Sequence, residues 1–177
     1  DDAQQLKQLV AAINTLRAQG HILAYHDRSD GGLWAAVCEM GFAGHRGVSL
    51  NVDILVTESD GIGDSRAEYG DSKNWAGQVS ERRSELTLRA LFNEELGAVI
   101  QIRRADRGTV MPALRDAGLG ACTHIIGTLN NADEIRVWRN AKSALAVRRV
   151  ELQRAWSEVS FQVARLRDDP ACAQEEF

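Results

Sequence analysis

Apolar residues recur along this chain with two different periods, and the alternation between them lays out a fold. Leu6, Leu9, Val10, Ile13 and Leu16 fall at helical spacing and predict an amphipathic helix over 2–18, capped by Asp1 or Asp2 and ended by Gly20. Ile22 to Tyr25 is an apolar run of strand length, followed by a polar, glycine-containing loop from His26 to Gly32. Leu33, Ala36, Val37 and Met40 predict a second helix closing at Gly41 or Gly44, and Val48, Leu50 and Val52 alternate as in a half-buried strand.

Residues 57–84 break the pattern. They are rich in glycine and charge with almost no periodic apolar residue, and read as a disordered insertion whose lone Trp75 has no evident docking place. Beyond them, Leu86, Leu88, Leu91 and Phe92 predict a helix, Ala98–Ile102 a buried strand, and 105–117 a helix stopped at Gly118 despite an awkward Pro112. His124–Leu129 and Glu134–Trp138 read as two strands around an Asn130-Asn131 turn. A long helix is then expected over 143–167, because Leu145, Leu152, Trp156, Val159, Val163 and Leu166 form one apolar seam. The whole predicts a layered α/β or α+β domain, a mixed sheet covered by helices, over 1–142, with the long helix and a linker over 143–177.

Composition narrows the function classes. The 177 residues carry 44% hydrophobic and 26% charged side chains and a net charge of −4, those of a globular domain without the electrostatic footprint of a nucleic-acid binder. No apolar run reaches the ~20 residues a membrane span requires. Cys38, Cys122 and Cys172 have neither disulfide nor zinc spacing, so buried free thiols in the cytoplasm are expected. The opening Asp1-Asp2-Ala3 is unlike a signal peptide or a natural start and reads as a cut inside a longer chain.

Chemistry concentrates in Tyr25-His26-Asp27-Arg28-Ser29-Asp30-Gly31-Gly32-Leu33, which leaves a strand and opens a helix. Backbone N–H groups at such a place favour an anion, Asp27 offers the hard oxygen that Mg²⁺ prefers, and the Ser29 hydroxyl can bond a phosphate oxygen. The bland alternative stays open: Asp30 or Ser29 as helix cap, Asp27 as turn residue, the glycines as a tight connection. Glu94 and Glu95 in Leu91-Phe92-Asn93-Glu94-Glu95-Leu96-Gly97 point apart on a helix, so a helix end stopped by Gly97 is the simpler reading. His26 flanks the loop and suits a structural hydrogen bond as well as a ligand contact; His21, His45 and His124 lack metal or triad spacing. No Walker loop or GxGxxG turn is present.

Taken in order, His26 to Leu33, Glu39-Met40-Gly41-Phe42-Ala43-Gly44, Leu91 to Gln101 and the ending Gln162 to Gln174 resemble the second half of the large single-chain phosphoribosylformylglycinamidine synthases of purine biosynthesis. The resemblance implies an ATP-dependent carbon–nitrogen ligase that converts formylglycinamide ribonucleotide to its amidine with ammonia from glutamine. ATP phosphorylates the amide oxygen and ammonia displaces the phosphate. It further implies that this chain is the C-terminal domain of the second of two units related to aminoimidazole ribonucleotide (AIR) synthetase, a unit that holds ADP and Mg²⁺ structurally. By motif, Asp27 falls on a magnesium ligand and Ser29 on a nucleotide contact, with no catalytic residue in this chain. The implied partners are the preceding synthetase domains, which carry the other metal ligands, and a following glutaminase domain, whose nucleophile is not Cys172. The stretch 57–84 is longer than such relatives have. A different ATP-using relative of AIR synthetase, or a ligand-free interaction module built on the 143–167 seam, are the alternatives.

Overall fold

The computed structural model describes residues 2–56 and 75–177, with side-chain surroundings from Ser84 onward in the second segment. The chain begins with α1 (Ala3–Ala18), whose first turn is capped by Asp2 accepting from the Gln4 N–H at 2.8 Å. There follow β1 (Ile22–Asp27), α2 (Gly32–Gly44), β2 (Gly47–Asn51) and the single turn α3 (Asp53–Val56). After the undescribed stretch come α4 (Trp75–Phe92), β3 (Ala98–Ile102), a 3₁₀ turn and α5 (Arg107–Leu114), which ends in a π turn over Arg115–Leu119. The last third holds β4 (Gly127–Asn130), β5 (Glu134–Arg139), β6 (Lys142–Arg148), α6 (Arg149–Arg167) and α7 (Pro170–Glu176).

The strands form two sheets. β1 and β3 make an antiparallel ribbon with Tyr25 opposite Ile100 and Asp27 opposite Ala98. The other sheet has the order β4-β2-β5-β6, with β2 antiparallel to β4 and parallel to β5. The expected layered α/β domain with a mixed sheet covered by helices is what the chain forms. Both faces of the ribbon are covered, as the pleat requires when successive side chains point to opposite sides. Ile100 and Ile102 pack with Leu16, Val110, Leu114 and Leu119 of α1, α5 and the π turn. Val99, on the opposite parity of the strand, packs instead with Leu33 and Val37 of α2, Leu91 of α4 and Leu50, Val52 and Val137 at the larger sheet. α2 is thus the central layer, buried between ribbon and sheet.

Of the two ends expected for α2, Gly44 is the one realised; the helix runs through Gly41, which is buried against Ile135 and the carbonyl of Arg46, where its lack of a side chain permits close packing. Three expectations change. Residues 75–84, expected inside an insertion, belong to α4; the rest of that expectation, 57–74, lies outside the described residues. β4 and β5 are not a hairpin about Asn130-Asn131, since both pair with β2. The tight hairpin joins β5 to β6 through Asn140 and Ala141, both at positive φ (51° and 58°), as a type I′ turn needs. Consequently Lys142–Arg148 is a strand, and the long helix starts at Arg149 instead of 143. Leu145 sits in β6; its step of seven to Leu152 matched a helix only by coincidence of period.

Asp53 anchors the hairpin to α3. Its Oδ1 accepts from the Asn140 N–H and from Arg139 Nη1, both at 2.8 Å, and these contacts, the backbone bond first, hold its carboxyl below the usual carboxylate range. The α6 seam is covered at its start only. Leu152 packs with Cys38, Phe42 and Ile135, and Trp156 lies 5.9 Å from the Phe42 ring. Val159, Val163 and Leu166 are exposed. α7 holds to the opposite face of α6, where Phe177 stacks on Phe161 at 4.1 Å between centroids. No described helix is long and apolar enough to cross a membrane.

Candidate functional site

The loop singled out by its chemistry is built against the second acidic motif, more than sixty residues away. β1 delivers Asp27 at its last position, on the exposed parity of the strand, with 67% of its side chain open to solvent. The next residues turn back into α2, and four hydrogen bonds tie that turn to the 94–97 segment. Arg28 donates from its backbone N–H to the Gly97 carbonyl at 2.8 Å. Its guanidinium donates from Nε to the Glu95 carbonyl at 2.6 Å and from Nη2 to the Leu96 carbonyl at 3.3 Å. Glu94 Oε1 accepts the Gly31 N–H at 3.0 Å. Ser29 and Asp30, between the anchors, are exposed.

The cap of α2 is neither Ser29 nor Asp30. Gly31 caps it in the left-handed conformation with no side-chain bond. The expectation that N–H groups here are open to a phosphate changes at Gly31 and Gly32. The Gly31 N–H is held by Glu94 and the Gly32 N–H donates to the Ser29 carbonyl at 2.9 Å, so the chain's own oxygens satisfy both. Gly32 has a separate requirement. It sits at φ +64°, and a Cβ there would lie 2.8 Å from the Leu91 and Asn93 oxygens and the Phe92 carbonyl carbon. The end of α4 therefore crosses the start of α2 backbone to backbone, and only glycine admits that approach.

His26 is fixed on the other side of β1. Nδ1 lies 2.6 Å from the Asp27 carbonyl and Nε2 lies 2.8 Å from Glu39 Oε2 of α2. Both partners are acceptors, so both ring nitrogens donate and the imidazolium form is favoured. The bond to the Asp27 carbonyl is the largest influence and, helped by Glu39, raises its pKa above 6.5 against the opposing effect of burial. The structural reading of His26 is the one realised: it ties the base of the loop to α2. Cys38, one turn earlier than Phe42, is buried, and burial pushes its thiol up to about 12. Cys122 and Cys172 are free and exposed, contrary to the expectation of buried thiols: Cys122 lies in a surface turn and Cys172 on the outer face of α7.

Asp27, Ser29 and Asp30 stand at one end of an open cleft of about 810 Å³ between α1 and the loop. Most of the remaining lining is apolar, with Leu6, Leu9, Val10 and Ile13 of α1, Tyr25 and Leu96, beside Asn14 and Arg17. The acidic mouth and the apolar wall place hard oxygen donors beside a surface able to take a flat or apolar group. Among the described residues no group of three His, Cys, Asp or Glu side chains converges on a cation position. The donor set is thus unlike a calcium cage. One exposed carboxylate fits Mg²⁺ in the mode in which phosphate oxygens and water fill most of the shell. Sequence reasoning found both motifs but not their contact, and the roles of Arg28 and Glu94 carry no local signal because their partners are 63 to 69 residues away.

Comparison with known proteins agrees with this architecture. The family described as AIR synthase related protein, C-terminal domain, matches residues 1–140. Among solved structures, phosphoribosylformylglycinamidine synthase II from Thermotoga maritima has a TM-score of 0.59 at 14% identity, over 86% of this chain and 22% of that one. T. maritima PurL complexed with ADP gives a TM-score of 0.59 at 14% identity, over 86% and 22%. T. maritima PurL complexed with ATP gives 0.56 at 14%, over 82% and 21%. At such identities these structures share the fold, and this chain spans about a fifth of their length. With the family matched over residues 1–140 and the same fold in these solved structures, the chain belongs to the AIR synthase related proteins, as their C-terminal domain.

Proposed function

We propose that this chain is the C-terminal domain of the second AIR synthetase-like unit of a phosphoribosylformylglycinamidine synthase, and that it helps to hold a structural ADP·Mg²⁺. The whole protein, on this reading, uses ATP and glutamine to convert formylglycinamide ribonucleotide to the amidine. This domain, residues 1–142 with the 143–177 extension as its link onward, supplies no bond-making group and is inactive alone.

The observation that carries the reading is the exposed Asp27–Ser29 pair, set on a turn anchored at both ends and opening onto the cleft beside α1. Asp27 would give one oxygen to the cation and Ser29 its hydroxyl to a phosphate oxygen; bound Mg²⁺ would supply charge neutralisation for the diphosphate. A lone carboxylate competes poorly with bulk water for Mg²⁺, so the remaining ligands belong to a preceding domain. The fold shared with T. maritima PurL, a protein described with ADP and with ATP, supports this assignment.

The test is the nucleotide content of the full-length synthase. Asp27→Ala should lower copurifying ADP, measured by chromatography after denaturation, and lower the melting temperature by several degrees. Unchanged ADP and an unchanged melting temperature reject the role of Asp27. A second reading, assembly with a partner through α6, is favoured by the bare Val159, Val163 and Leu166; light scattering of the 177-residue chain with and without Leu166→Asp tests it.

A further inference from the structure

We infer that Arg28 is a positioning residue for this site and not a phosphate ligand, and that Gly97 is the seat that makes its position possible. The inference rests on the reading of Asp27 and Ser29 just given and concerns how their place is fixed. An arginine between a metal-binding aspartate and a phosphate-contacting serine invites assignment as an anion contact, because guanidinium recognises phosphate in a planar, two-pronged way. The geometry points elsewhere. Arg28 lines the cleft with Asp27 and Ser29, but its guanidinium already spends its fork on the Glu95 and Leu96 carbonyls, while its own N–H closes on the Gly97 carbonyl. Three bonds from one residue thus join the loop to a turn distant in sequence.

Gly97 shows that the seat is fitted. A Cβ built there would lie 3.3 to 3.4 Å from Nη2, Cζ and Nε of Arg28, so the guanidinium lies flat on the glycine. Arg28 is only 24% exposed, and the nearest carboxylate oxygen to Nη2, on Glu95, is 3.9 Å away, so the carbonyls and not a salt bridge dominate its contacts. With Glu94 holding the Gly31 N–H, the loop is fixed immediately after Asp27 and again just before α2. Asp27 and Ser29 flank Arg28 directly, so displacement of the arginine backbone moves both. A carboxylate and a hydroxyl that must meet a cation and its phosphate together tolerate little such movement.

Lysine separates the two roles. It keeps the charge a phosphate would feel but donates from a single nitrogen and cannot reproduce the rigid guanidinium fork that lies on Gly97. In the full-length synthase stripped of nucleotide, ADP affinity is measured by calorimetry with Mg²⁺ and with EDTA, and exchange of the 28–32 amides by mass spectrometry. Arg28→Lys and Gly97→Ala are each expected to weaken Mg·ADP binding about 10–100-fold, the range for residues that orient metal ligands. Metal-free ADP should change much less, and the loop amides should exchange faster. Gly97→Ala removes no charge, so the same loss there marks position as the cause. Full affinity in Arg28→Lys with loss only in Arg28→Ala would overturn the inference in favour of a direct phosphate contact. Equal losses with and without Mg²⁺ would overturn it in favour of general structural damage. Asp27→Asn serves as the reference: if it leaves Mg·ADP affinity unchanged, the site reading itself is wrong, whereas loss there with intact Arg28→Lys and Gly97→Ala defeats the positioning role alone.

Discussion

Replacing Gly32 with alanine isolates the contact that places the loop on α2. Two costs arise. The left-handed conformation at φ +64° costs an L-residue about 1–2 kcal/mol. The new methyl would meet three main-chain atoms of α4's end at 2.8 Å, and because main chain cannot rotate away, overpacking adds roughly 1–3 kcal/mol. The sum, about 2–5 kcal/mol, corresponds to ~4–20 °C in melting temperature for a chain of this size. Gly20 provides the control. It too has positive φ, +75°, yet nothing lies within 4 Å of its would-be Cβ, so Gly20→Ala should show the conformational cost alone. Urea unfolding of both variants, compared at equal slope, gives the difference that belongs to the backbone crossing. If Gly32→Ala costs no more than Gly20→Ala, the close approach of α2 and α4 is not a feature of the folded protein and the argument for the anchored loop loses its base.

Two further outcomes test other parts of the fold. Because the folded state raises the His26 pKa above 6.5, its charged hydrogen bonds stabilise fully below about pH 6.5, and that stability is lost as pH rises through the folded value. Glu39→Gln should therefore cost about 1 kcal/mol at pH 6 and flatten the decline in thermal stability towards pH 8, followed by scanning calorimetry; an unchanged pH profile would count against the imidazolium. Ala141→Gly should stabilise the β5–β6 hairpin by about 0.5–1 kcal/mol in urea unfolding, since relief of the left-handed alanine outweighs the added freedom of the unfolded chain; a loss would contradict the type I′ turn.

Elements with strong periodicity and local caps were legible in the sequence. α1 with its Asp2 cap, β1, β2, β3 and the inward Val110 and Leu114 lie where spacing places them. What escaped depends on distant partners. Lys142–Arg148 reads as helix by period, and only pairing with β5 makes it a strand. Asn130-Asn131 looks like a hairpin turn, but β2 inserts between the strands it would have joined. The loop of Asp27 and Ser29 stood out by residue type alone, and its attachment did not, because no local rule links Arg28 to Glu95 or Gly31 to Glu94. The free stripe on α6 was visible as a seam, yet whether a seam is covered is a property of the packed molecule.

The strand order has a consequence for synthesis. β2 lies second in its sheet, and both neighbours, β4 and β5, come from the last third of the chain. Val48 and Leu50 emerge from the ribosome roughly 80 residues ahead of the strands that will shelter them, which at ~5–20 residues per second is a wait of about 4–16 s. Pairing over such separations is slow to nucleate even after release. The nascent chain thus carries an apolar strand with two open edges for seconds, and within this domain its cover in that interval comes first from α2 and then from Leu91 of α4 and Val99 of β3.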